Sequence, residues 1–219
     1  MKSRRRRLNI LVTSGATREP IDAVRFISNY ATGVLGCELA GAAKKRGHRV
    51  ILICGLLDCP KPKGVPAIKV DTARQMQRAL AAKFSWCDCL IMTAAIGDFR
   101  VQQPSKHKIK RSKTGELCLT LKQNPDILAG LGRRKGEKTL VGFALETEKL
   151  EQHAREKLRG KNLDLIVATQ MKSSSYPFGP VKIDALIIDK AGQVRRIRQA
   201  GKGQLSRILL DSVEKIVLS

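Results

Sequence analysis

The sequence predicts a doubly wound, Rossmann-like α/β domain: a mostly parallel sheet with an antiparallel extension. Three observations predict it. Continuously apolar runs rich in β-branched residues, such as "LNILVTSG", "RVILICG" and "DCLIMTAA", recur along the chain, as strands buried on both faces require. Helical patterns separate them, so each crossover can cover the sheet. Near the end, "VKIDALIID" and "QVRRIRQ" flank "KAGQ", which reads as a hairpin and not as a crossover. The chain of 219 residues is long enough to bury one proper core, and the expectation is a single domain over residues 1–219.

The elements follow in order. "LNILVTSG" is a buried strand ending in a small-residue turn. "GVLGCELAGAAKKRG" is a helix whose small residues permit close packing on a sheet, and Gly47 stops it. "RVILICG" and "AIKVD" are strands, and Thr72 then caps the helix "ARQMQRALAAKF". After "DCLIMTAA" come residues 96–115, which lack apolar periodicity. A gap of that length inside a compact domain suggests a functional loop, here expected to be a mobile lid. "ELCLTLKQ" alternates like a half-buried strand. "NPDILAGLGRR" predicts a helix with Asn124 as its cap and Pro125 at its first position. "TLVGFALET" and "LDLIVATQ" are strands around the amphipathic helix "KLEQHAREKLRGK", and "QLSRILLDSVEKIVL" closes the domain.

Composition narrows the function classes. Against 42 Lys and Arg there are only 19 Asp and Glu, a net charge of +23. Such a surface suits nucleic acid or phosphorylated metabolites. The charge is dispersed, however, over "KSRRRR" in a basic tail (residues 1–7), "KHKIKRSK", "GRRKGEK" and "RRIRQAGKGQ". Aromatic residues make up only 4%, too few for base-stacking platforms. A basic nucleic-acid-binding protein on this fold is therefore the alternative reading, not the first. No pair among the six cysteines has C-x2-C spacing, which argues against a zinc site and for free thiols in a reducing compartment. "LNILVT" is too short for a signal segment, and no run approaches a membrane span. The expectation is a cytoplasmic protein.

The first strand-to-helix segment, "TSGATREPIDAVRFISNYATGVLG", is not G-x-G-x-x-G, and "ILICG" ends without an acidic residue for a ribose. Both facts argue against a dinucleotide site. The excursion still gathers Thr17, Arg18, Asp22, Arg25, Ser28 and Asn29 at a carboxyl end of the sheet. It delivers Gly33 to a helix start, where N–H groups and the dipole favour phosphate. Gly15, Thr17, Arg25 and Gly33 are the substrate-contact candidates. Asp98, just past a strand in "TAAIGDFR", can accept from a sugar hydroxyl or help hold Mg2+. Lys157 and Lys161 share a helix face and can reach phosphates. There is no G-x-S-x-G and no P-loop, and His48, His107 and His153 stand in polar or turn contexts.

"TSGATREPIDAVRFISN" with "GVLG", "AAIGDFR", "KIKR", "KQNPDILAGL", "VGFALET" and "REKLRGKNLDLIVA", in this order, resemble the bacterial phosphopantothenoylcysteine synthetases (phosphopantothenate–cysteine ligases) over residues 9–216. The resemblance implies a ligase of coenzyme A biosynthesis. The carboxylate of 4′-phosphopantothenate attacks the α-phosphate of CTP, and the amine of cysteine then attacks the acyl-cytidylate and releases CMP. Both nucleophiles belong to substrates. The resemblance further implies Mg2+ carried by the triphosphate with no protein metal site, and a homodimer. Because no decarboxylase-like segment precedes Leu8, it implies no flavin and a separate decarboxylase as possible partner. By position, Asn29 matches the asparagine that handles the acyl-nucleotide, and Lys108 matches the loop lysine over the triphosphate; these are the catalytic candidates. Met92, Thr93, Ala94, Asp98, Pro125, Asp126, Ile127, Leu128, Phe143, Lys157 and Lys161 match nucleotide contacts. The sequence departs at Val34, which stands where a lysine is common.

Overall fold

Among the described residues, twelve strands and five α-helices follow one another. They are β1 (Asn9–Ser14), β2 (Arg18–Pro20), β3 (Phe26–Ser28), α1 (Val34–Lys45), β4 (Arg49–Cys54), β5 (Ala67–Lys69), α2 (Ala73–Lys83), β6 (Cys89–Met92), β7 (Phe99–Val101), β8 (Leu121–Gln123), α3 (Ile127–Gly132), β9 (Thr139–Glu146), α4 (Leu150–Gly160), β10 (Leu165–Gln170), β11 (Ile183–Asp189), β12 (Val194–Ala200) and α5 (Lys202–Leu218). The structure is a computed structural model and describes residues 6–111, 115–171 and 178–218. Residues 1–5 of the expected tail and 112–114 of the expected lid lie outside the described residues.

Eight strands form one sheet in the order β12-β11-β10-β9-β6-β1-β4-β5. From β5 to β10 all neighbours are parallel, and β11 and β12 add the antiparallel edge. The chain runs from β1 outward to β4 and β5, then crosses back through α2 to place β6 on the other side of β1. The strand order therefore reverses between β1 and β6, where open α/β sheets leave a crevice.

The pleat of β1 assigns the two cores. Ile10 and Val12 join Leu39, Ala43, Leu209 and Val213 of α1 and α5 on one face. Leu11, pointing the other way, joins Met76, Leu80, Leu131 and Leu158 of α2, α3 and α4. α2 starts as its sequence predicts: Thr72 Oγ1 accepts from the Gln75 N–H, and Gln75 Oε1 accepts from the Thr72 N–H, a capping box. α1 approaches the sheet so closely that a Cβ on Gly36 would lie 2.5 Å from Ser14 Oγ and 2.6 Å from Thr93 Oγ1. Gly36→Ala is therefore expected to destabilise the domain by about 1–3 kcal/mol through overpacking; a urea midpoint unchanged from the parent would contradict the close packing.

Four sequence expectations are corrected. The helix after residue 123 is capped by Asp126, whose side chain accepts from the Ala129 N–H, not by Asn124. Asn124 is buried and donates to the Gly97 carbonyl instead. "ELCLTLKQ" forms a strand only at β8, and all three of its residues are exposed, because it pairs with β7 in a separate ribbon and not with the main sheet. The gap at 96–115 thus holds strand β7 at its base. His48, read as a turn residue, is buried. Its Nδ1 accepts from the Leu8 N–H at 3.2 Å, so Nε2 carries the proton toward Glu214 Oε1 at 3.1 Å.

Cys87 and Cys89 are buried, and all six cysteines are free thiols. Burial pushes the Cys87 thiol up to about 11. Burial, with the nearby Cys59 sulfur, pushes Cys37 up to about 12. Because these folded values lie above the unfolded one, the groups contribute stability in full below the ordinary thiol value of 9.0 and lose it as pH rises through about 11 and 12. The expected result is a urea midpoint that declines above that ordinary value. Exposed Cys118 should be alkylated first at neutral pH, well before Cys87 and Cys89; peptide mapping of the labelled protein checks it. Among the described residues no helix is long and apolar enough to cross a membrane.

Candidate active site

The crevice at the strand reversal is built by backbone. After β1 the chain bridges both neighbours: the Ala16 N–H donates to the Leu56 carbonyl and the Thr17 N–H to the Ala95 carbonyl, each at 3.1 Å. A cleft of about 450 Å3 opens above this junction. Gly15 and the start of α1 form one wall. Gly33 is the helix's N-terminal flanking residue at φ 80°, and a Cβ there would lie 2.2 Å from the Leu57 side chain. Ser14 Oγ donates to the Gly33 carbonyl at 2.7 Å and fixes that turn. Residues 33–36 line the cleft and bring the first N–H groups of a 12-residue helix to it.

Met92, Thr93 and Ala94 form the floor. The Thr93 hydroxyl donates to the Thr13 carbonyl at 2.6 Å, and the Ala94 N–H donates to the Thr13 hydroxyl at 3.1 Å. The alcohols are spent on the sheet, which leaves a flat wall of small side chains where a planar ligand can lie. Asp98 stands at the exposed rim. Pro125, Asp126, Ile127, Leu128 and half-buried Phe143 line the opposite side.

Two cations of the cleft, Lys157 and Lys161, are held by carboxylates. Lys157 Nζ donates to Glu146 Oε1, whose partner oxygen meets His153 Nδ1 at 3.2 Å. Lys161 Nζ lies 3.0 Å from Asp126 Oδ2. Burial works against the Asp126 charge, but the Ala129 N–H and Lys161 outweigh it and hold its carboxyl below the ordinary value. A polyphosphate entering here exchanges carboxylate partners for phosphate ones, so neither lysine has to be desolvated bare. Because Asp126 already caps α3, that six-residue helix has little N–H capacity left for a ligand.

Four expected residues lie outside this lining. Asn29, Arg25 and Lys108 are exposed on the 18–29 hairpin and on the segment packed against it. Thr17 is fully buried, and its hydroxyl accepts from the Gly97 N–H at 2.9 Å, so it supports the turn before Asp98. Sequence reasoning missed Lys202, the first residue of α5, which lines the cleft and whose ammonium burial pushes below the ordinary lysine value. Its only sequence signal is a lysine just after Gly201 at a helix start. Among the described residues no group of three His, Cys, Asp or Glu side chains could hold a metal ion.

Sheet order, crevice and helix N-terminus together define a Rossmann-like α/β domain with its ligand cleft at the strand reversal. The model of the family described as the DNA/pantothenate metabolism flavoprotein C-terminal domain matches residues 6–217, and the chain belongs to that family. It is 41% identical over 206 residues to the coenzyme A biosynthesis bifunctional protein CoaBC of Bacillus subtilis (strain 168), covering 94% of this chain and 50% of that protein. It is 40% identical over 174 residues to the corresponding protein of Escherichia coli (strain K12), covering 78% of this chain and 43% of that one. The chain thus spans about half the length of the curated relatives it matches. Among solved structures, the C-terminal domain of a CoaBC protein superposes with a TM-score of 0.81 at 31% identity, over 96% of this chain and 95% of that one.

Proposed function

We propose that this domain is a ligase that joins 4′-phosphopantothenate to cysteine, with CTP as co-substrate. The pantothenate carboxylate attacks the α-phosphorus and pyrophosphate leaves. The cysteine amine then attacks the acyl carbon, CMP leaves, and the ammonium proton passes to solvent. One observation carries the reading: Lys157, Lys161, Lys202 and the start of α1 converge on a cleft whose lining, among the described residues, contains no Ser, Cys or His. Such a site offers charge and alignment without a Ser–His or Cys–His pair, which suits a reaction whose two nucleophiles arrive with the substrates. The names of its CoaBC relatives place them in coenzyme A biosynthesis, which supports the same reading.

In this reading the base and ribose lie between the Met92–Ala94 floor and Phe143, with Asp98 at the sugar. The triphosphate faces Lys157 and Lys161, and Gly15 and Gly33 face phosphopantothenate, whereas Arg25 stays outside the lining on Asp22 and Ile109. Mg2+ would be carried by the phosphate and water oxygens of the triphosphate and would neutralise and orient the phosphates. A homodimer fits the exposed apolar side chains Val24, Phe26, Phe99 and Leu121 on the two ribbons, a face that a second copy would cover. A reducing cytoplasm fits the six free thiols, and a decarboxylase acting on the product is the natural partner. The test is pyrophosphate release measured with each substrate omitted in turn, with ATP in place of CTP as a further arm. Release that does not depend on phosphopantothenate, or no amide product with cysteine, overturns the assignment.

A further inference from the structure

The hairpin of β2 and β3 holds an ion pair outside the cleft lining, with its carboxylate buried and its guanidinium half-exposed. Asp22 has no exposed side-chain surface. Its Oδ1 accepts from the N–H groups of Val24 and Arg25, both at 2.8 Å, which fixes the hairpin turn. Its Oδ2 accepts from Arg25 Nε at 3.1 Å and from Arg25 Nη2. The same Oδ2 accepts from the Ile109 N–H at 3.0 Å, and Arg25 Nη2 donates to the Ile109 carbonyl at 2.9 Å. One ion pair therefore holds both polar groups of Ile109. A second tie sits four residues earlier, where the Ser105 N–H donates to the Ile21 carbonyl at 3.0 Å. Between the ties lies exposed Lys108, with exposed Lys110 just beyond.

The two carboxylate oxygens divide the work. A structural Asx turn needs only Oδ1. Oδ2 meets the Arg25 guanidinium and also reaches 87 residues along the chain to the Ile109 N–H, a contact the turn itself does not need. Arg25 beside it, helped by the Ile109 N–H and opposed by burial, holds the Asp22 carboxyl well below the usual carboxylate range, so the grip is charged at any pH where the enzyme works. A neutral amide cannot replace it. Asparagine has one acceptor oxygen, and its NH2 would face either the guanidinium or the N–H groups.

We infer that Asp22 is a positioning residue: through Arg25 and the Ile109 peptide it sets where Lys108 stands over the reacting phosphates. This rests on the ligase reading. Asp22→Asn is expected to release the 105–111 segment, so that trypsin cuts after Lys108 and Lys110 about tenfold faster or more in otherwise folded protein. The turnover number for pyrophosphate release should fall about 10- to 100-fold, with the KM for CTP nearly unchanged, because a misplaced group costs transition-state and not ground-state binding. In a Lys108→Gln background the same substitution should cost less than about twofold, since Asp22 acts through that lysine. If Asp22→Asn lowers the thermal midpoint too far to assay, Ile109→Pro removes the gripped N–H with Asp22 intact and should give the same loss of turnover, with release of the segment read as faster cleavage after Lys110, since trypsin does not cut before proline. Unchanged cleavage overturns the clamp. Faster cleavage with additive losses in the double variant overturns the positioning role. Cleavage is read without reference to catalysis, so a parent that releases no pyrophosphate sinks the ligase reading alone, and the clamp is then decided on cleavage.

Discussion

Lys108→Gln is expected to lower the rate of pyrophosphate release by about 10²- to 10³-fold while the thermal midpoint stays within a degree or two of the parent. The two halves of this result have separate causes. Lys108 is exposed and joins neither hydrophobic core, so removing its charge leaves packing intact. On the proposed ligase reading, the rate falls because attack on the α-phosphorus shifts negative charge onto the leaving pyrophosphate, and Lys108, if held at that point, gains interaction energy as the bond breaks. Lys157 and Lys161 cannot substitute for it. They are fixed on α4 and at its C-terminal flank, already matched by Glu146 and Asp126, and suited to ground-state binding of the triphosphate. Their replacement should raise the KM for CTP more than it lowers turnover, the reverse of the Lys108 pattern. A Lys108→Gln enzyme with parental turnover would remove this lysine from the chemistry. A collapsed midpoint would show that the exposed segment carries structural weight.

The main sheet and its crevice were legible because burial on both faces leaves a continuous apolar trace: "ILVT", "VILIC" and "CLIM" can be little else. The two ribbons left no such trace. β2, β3, β7 and β8 are three residues each, and their apolar side chains Phe26, Phe99 and Leu121 face outward, so no alternation marks a buried side. The misplaced helix cap has a similar origin. In "NPDI" both Asn124 and Asp126 can cap, and only the tertiary partner of Asn124, the Gly97 carbonyl, decides between them. For the cleft, the small residues of "TAAIGDFR" and Asp98 were legible from their place at a strand end, while Met92, Leu128 and Phe143 were expected only through the family resemblance. The Asp22 grip was not legible, because its meaning depends on Ile109, and charge-rich stretches such as "KHKIKRSK" give no sign of which peptide is tied down. Lys202 was missed for the same reason. A helix-opening lysine looks like surface until the fold turns it into the cleft.

Asn29→Asp separates the two half-reactions, and its expected result is an enzyme that completes the first and stalls in the second. Asn29 follows β3 directly, where Ser28 Oγ donates to the Thr17 carbonyl at 2.8 Å and so ties the end of the strand to the fully buried residue behind the cleft. The position is thereby fixed while the side chain stays exposed, and an isosteric change should fold. An amide can donate to the acyl oxygen as cysteine's amine adds and charge gathers there. A carboxylate cannot donate, and it repels the developing oxyanion. Pyrophosphate release tolerates the new charge better, since that step gathers charge on the β- and γ-phosphates facing the lysines. The variant should therefore release about one equivalent of pyrophosphate per site in a burst. Acyl-cytidylate should then accumulate, and amide should form about 10²-fold more slowly than in the parent. Mass spectrometry of the quenched burst reads the intermediate directly. If the variant converts added acyl-cytidylate and cysteine to product at the parental rate, Asn29 has no part in the second step. If the burst itself is lost, the residue serves the first step, and the division of labour between Asn29 and Lys108 is wrong.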